Sequence, residues 1–140
     1  MSYREKVAWL SLLAIVLTYG PYFTLVFVDP PGPLPDLGQL KRFGITAISQ
    51  MILLLCGRLA LRLHSPEDAR EPADERDRAI ERRSQRIGYF VLIGGAVWGG
   101  VLMPFLATGW TIVNHMLAAI TLSEVIAYAV AIHSYRTSWR

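Results

Sequence analysis

The sequence is poor in the residues that usually carry chemistry. One cysteine in 140 residues, Cys56, permits neither an internal disulfide nor a Cys-x-x-Cys redox pair. That excludes a disulfide scaffold, a disulfide oxidase and a cysteine-rich zinc site. Charged residues make up only 18%, against ~25% in ordinary soluble proteins. Gly-x-Ser-x-Gly, His-Glu-x-x-His and a Gly-rich phosphate loop before lysine are all missing. An enzyme is therefore not expected, and nothing present calls for a cofactor. His64 and His133 lack the further ligands that a metal or haem site requires. No internal repeat is visible.

What is present is apolar sequence. Hydrophobic residues make up 53% of the chain, and four stretches reach the ~20 residues that a helix needs to cross a bilayer. They run over about 7–28, 43–63, 87–108 and 111–133. The first exceeds a signal peptide's apolar core of ~7–15 residues and lacks a small-x-small cleavage site, so it reads as a retained helix. The fold class expected is all-α: an integral membrane four-helix bundle in a single domain.

Orientation follows from lysine and arginine, which concentrate on the cytoplasmic side. Twelve of the fourteen lie at the two ends of the chain or in and just before the 64–86 segment; only Lys41 and Arg42 lie on the other side. Both termini are thus expected in the cytoplasm of a bacterial inner membrane. Tyr3, Trp9, Tyr89, Tyr135 and Trp139 fall at the inner headgroup layer, and Phe27, Phe43 and Trp110 at the outer; Trp98 is the exception, near mid-membrane. Residues 29–40, with four prolines, form a stiff outer loop, and Gly109 with Trp110 makes a tight turn between the last two helices. Thr18, Tyr19, Gly20 and Pro21 are expected to kink the first helix.

Residues 64–86 are the one sizeable polar piece. Ser65 before Pro66 is a helix-start signal, Pro72 ends that turn, and Asp74 is expected to cap a new helix. Nothing then breaks the pattern before Pro104, so the third helix should extend into the cytoplasm by ~20 Å. Arg82, Arg83 and Arg86 are placed to meet lipid headgroups. Asp74, Asp77 and Glu81 share a narrow helical sector, a candidate docking face for a cytoplasmic protein partner or a solvated salt-bridged face. Direct nucleic-acid binding is not expected, because the acidic outer half repels phosphate despite the net charge of +3.

The run Asp74, Glu75, Arg76, Ile80, Glu81, Ser84, Ile87, Tyr89 resembles the signature of a group of small uncharacterised bacterial multi-helix membrane proteins. In that group a motif of the type D-E-R-x-x-x-I-E leads into a transmembrane helix. The likeness is specific over about twenty residues. It implies an inner-membrane protein of unassigned activity; occurrence of such proteins beside small helix-turn-helix regulators would suit a role in holding a regulator at the membrane.

Within the membrane, Glu124 lies near the middle of the fourth helix, where a charged, unpaired carboxylate costs several kcal/mol. Thr121 and Tyr128 share its face and are candidate hydrogen-bond partners; Asn114 is more loosely aligned. Arg58, at nearly the same depth on the second helix, either pairs with Glu124 or snorkels to the headgroups. Thr46, Ser49 and Gln50 are expected to bond across helices. Gly95-x-x-x-Gly99 and Ala96-x-x-x-Gly100 on the third helix permit close helix packing or self-association, or leave room for a lipid, quinone or pigment tail; a homo-oligomer or a larger membrane complex is the expected assembly. Three functions stay open: a membrane partner protein using 65–86, a small oligomeric transporter or channel using Glu124, and an accessory subunit.

Overall fold

A computed structural model describes residues 2–32, 34, 36–70, 72 and 74–137, without the side chains of Asp68 and Ala69. The expected positions of Glu71, Trp139 and Arg140 lie outside the described residues. The described residues form five α-helices and no strand: α1 (Tyr3–Val28), α2 (Leu37–His64), α3 (Pro66–Arg70), α4 (Glu75–Val97) and α5 (Trp110–Thr137). Four helical runs are long and apolar enough to cross a membrane: α1, α2, α4 with its continuation to Phe105, and α5. The architecture is a helical bundle.

The helices outrun the apolar stretches because polar residues cap them. Ser2 accepts a hydrogen bond from the Glu5 N–H, so α1 starts four residues before its apolar run; Ser-x-x-Glu is a capping box. Asp36 accepts from the Gly38 N–H at 3.0 Å and starts α2 inside the segment expected as loop. Asp74 caps α4 as expected, accepting from Glu75 at 2.6 Å. Ser65 stands immediately before α3, as its position suggests. Its hydroxyl takes a hydrogen bond from the Lys6 ammonium at 3.4 Å, tying the start of α1 to the end of α2.

The two prolines within the apolar helices act differently. α1 continues as a helix through Pro21. The third apolar helix breaks earlier than Pro104: Trp98–Leu102 is a π-helical turn, followed by a 3-10 turn over Met103–Phe105. Pro104 has no N–H to donate and its ring crowds the carbonyl of residue 100. Widening the turn before it relieves that conflict, and Gly99 and Gly100 tolerate the change. The chain then reverses through Gly109, whose φ of 58° is the left-handed conformation that a Cβ disfavours.

Helix contacts follow the order α2, α1, α5, α4, each pair antiparallel. α4 and α5 approach through small residues: a Cβ added to Gly88 would meet Ala127, one on Gly95 would meet Ala119, and one on Gly99 would meet Met116. Gly95 and Gly99 are therefore used inside the chain. Gly94 and Gly100 face open space, and Ala96 is half-buried. α1 meets α2 where Gly57 receives Leu10 and where the Thr18 hydroxyl touches the Gln50 side chain. Thr46, by contrast, donates to the Arg42 carbonyl of its own helix.

The buried cluster sits at the end of the bundle that carries the described chain termini. It joins Ala8 of α1, Ile80 of α4 and Ala131, Ile132 and Tyr135 of α5, with Trp9, Leu12 and Tyr128 against them. The polar start of α4 is thus packed on α1 and α5, and does not stand away alone. Toward the opposite end, the buried Tyr22 hydroxyl of α1 donates to the Asn114 carbonyl oxygen of α5 at 2.7 Å. Tyr22→Phe is expected to lower stability by ~1–2 kcal/mol, because it strands a buried amide; a thermal melt in detergent measures it, and an unchanged melt removes that bond from the account.

Candidate functional site

α2 makes no more than isolated contacts with α4 and α5, and that missing interface opens a cavity of about 580 Å³ at the terminal end. Its wall runs along α4 from Ile80 to Leu92 and along α5 from Ser123 to Tyr135, thirteen residues or ~18 Å on each helix. The start of α1 closes one side with Tyr3, Arg4, Val7 and Ala8, and α2 contributes Arg58. This size lies within the range of small-molecule sites, ~300–1,000 Å³.

Arg58 and Glu124 line this same cavity. They come from helices that barely touch, so only the curl of the helix row brings them together. They do not form an ion pair, and among the described residues neither has a hydrogen-bond partner. The direct pair of the two expected arrangements is not formed; the two opposite charges face a shared space. Thr121 is not a partner of Glu124; its hydroxyl donates to the Leu117 carbonyl at 2.8 Å. Tyr128 lines the cavity, whereas Asn114 is committed to Tyr22 and lies beside a second cavity.

The acidic sector of α4 is divided among three tasks. Asp77 forms an ion pair with Arg4 at 3.1 Å and its side chain is 22% exposed. Asp74 caps its helix. Glu81 stands on the cavity wall and accepts from the Gln85 amide at 3.3 Å. Arg82, Arg83 and Arg86 are all exposed on the outer face of α4.

Sequence reasoning missed a second charged group beside the cavity. Glu5 is 5% exposed and meets the Arg136 guanidinium at 3.7 Å; Arg136 in turn lies over the Trp9 ring, 5.3 Å from its centroid. The Arg76 guanidinium reaches the Tyr135 carbonyl at 3.5 Å. The Ser2–Glu5 capping box signals Glu5 in the sequence, but Arg4, Asp77 and Arg136 carry no such local mark.

A second cavity, of about 430 Å³, lies at the opposite end among Phe23, Val26, Phe27, Thr111, Asn114, His115 and Ala118. Between the two lie the Gly95–Ala119 and Gly99–Met116 contacts, which leave no room for another side chain. At this end Arg42 pairs with Asp29 at 2.9 Å. Among the described residues no group of three or more histidine, cysteine or carboxylate side chains is placed to hold a metal ion. No family model, curated protein or solved structure matches this chain.

Proposed function

We propose that this protein is an integral membrane protein of the transporter or channel class. In this reading it lies in a bacterial inner membrane with both termini cytoplasmic, and it grips a charged species in the terminal-end cavity. The observation that carries the reading is the arrangement of Arg58 and Glu124, opposite charges on different helices that face one cavity without neutralising each other. Charges held in a low-dielectric surrounding are costly when unpaired, and a bound species of matching charge offsets that cost.

The four apolar helices support membrane insertion, since helices are one of the two structures that satisfy every backbone group in lipid. The excess of arginine at the terminal end supports the cytoplasmic orientation. Pairing of Arg42 with Asp29 deepens that asymmetry by neutralising one of the two cations at the far end. A docking role for Asp74, Asp77 and Glu81 has less support, because Asp77 is engaged by Arg4. Assembly into a homo-oligomer is part of the same proposal and would leave Gly95 and Gly99 in place.

The test is ligand-independent. Protein purified in mild detergent is extracted with organic solvent, and its extract is weighed by mass spectrometry. Wild type should carry one small molecule in near-stoichiometric amount, and the Arg58→Gln/Glu124→Gln double variant less than a tenth of it at unchanged melting temperature. No retained molecule, or equal retention by the double variant, overturns the reading.

A further inference from the structure

The chemistry of the cavity restricts what it can hold. Of the charges on its wall, Arg4 is paired with Asp77 and Glu81 is held by the Gln85 amide; Arg58 and Glu124, of opposite sign, are left, so an anion alone satisfies only Arg58 and a cation alone leaves Arg58 unsatisfied. A zwitterion satisfies both. Arg58 and Glu124 line one cavity without forming an ion pair, so each is open to a separate group of one ligand. Guanidinium is well matched to phosphate oxygens, which it binds through two parallel N–H donors. A carboxylate accepts best from an ammonium that still carries its protons.

The rest of the wall points to a lipid as the source. Beside Glu124 the lining is apolar and small, with Gly88, Leu92 and Ala127. The side next to α2 has no helix-to-helix seal. Acyl chains can leave through that side into the bilayer while the headgroup stays inside. Gln85 and Tyr128 add donors around the headgroup, while the Ser84 and Ser123 hydroxyls donate to the Glu81 and Ile120 carbonyls of their own helices. A free zwitterion would leave the apolar part of the wall without a partner.

We propose that the cavity is a binding site for the headgroup of a zwitterionic aminophospholipid, its phosphate on Arg58 and its primary ammonium on Glu124. This rests on the reading of the cavity as the working site and gives it a ligand class.

Delipidated full-length protein is incubated with an equimolar mixture of phosphatidylethanolamine, phosphatidylglycerol and phosphatidylcholine, and retained lipid is read by native mass spectrometry. Wild type should keep phosphatidylethanolamine at least tenfold over phosphatidylglycerol, which has no ammonium, and over phosphatidylcholine, whose ammonium cannot donate. Glu124→Gln should erase the preference over phosphatidylglycerol. Arg58→Gln should reduce retention of all three. Leu92→Trp, which adds bulk to the cavity wall and leaves both charges in place, should also release the lipid, and melting curves verify that each variant is folded. Equal retention of the three lipids by wild type overturns the proposal, as does an unchanged preference in Glu124→Gln. Displacement of the lipid by millimolar free phosphoethanolamine overturns the assignment to a lipid. A retained molecule in the solvent extract that is not an aminophospholipid overturns this inference and leaves the proposed function standing; no retained molecule overturns both.

Discussion

Gly95→Leu is expected to separate α4 from α5 and cause the largest loss of stability of any single substitution at a glycine of α4. A Cβ at this position would lie 2.3 Å from the Ala119 Cβ and 3.3 Å from its Cα. The obstacle is the body of α5, which cannot rotate away as a flexible side chain does. Overpacking of this kind costs ~1–3 kcal/mol or more, and in a membrane no hydrophobic force returns the helices to contact. Gly94→Leu is the control, because nothing lies within 4 Å of a Cβ there; its effect should stay within ~0.5 kcal/mol. Gly99→Ala should be milder than Gly95→Ala, since it meets the Met116 sulfur, the mobile part of an adaptable side chain. Fluorescence-detected melting in detergent orders the variants. Ala119→Gly added to Gly95→Ala should restore most of the loss. Equal melting of the Gly94 and Gly95 leucine variants would contradict the packing described.

Arg136→Ala is expected to destabilise the terminal end by ~2 kcal/mol, less than the 3–5 kcal/mol typical of a broken buried pair. The discount has two reasons. Arg136 is 64% exposed, so its attraction is partly screened by water. Glu5 also sits in the first turn of α1, where the helix dipole favours a carboxylate by ~0.3–1 kcal/mol. What remains is the cost of leaving Glu5 buried without its cation, together with loss of the guanidinium packed over Trp9. Glu5→Gln in the Arg136→Ala background removes the stranded charge and should recover about half of the loss. A melting temperature unchanged by Arg136→Ala would show that the buried carboxylate is held by other means.

Much of this was legible from local sequence. The four long helices follow from runs of apolar residues, and the start of α4 follows from Asp74, whose short side chain reaches the first free N–H groups. The Ser2–Glu5 capping box was there to be read and accounts for the early start of α1. The break at Trp98 was less accessible: proline marks position 104, but relief of its clash is spread over the preceding turn, where glycines make widening cheap. Partners of charged side chains were not legible at all. Asp77 looked like a free member of an acidic stripe until Arg4, 73 residues earlier in the chain, was brought beside it.

The sparse charge of this chain divides along the same line. By itself the sequence determined how many helices are long and apolar enough to cross a membrane, and where its cations concentrate, because both depend on stretches of neighbouring residues. Tertiary structure alone decided that Arg58 and Glu124 face one cavity and that Gly95 and Gly99 are spent on α5. Both results depend on which helix lies beside which: close contact of α4 with α5 is set by glycine meeting alanine and methionine, and the open side of the cavity by the absence of an α2–α4 interface. Neither relation is encoded in any one segment.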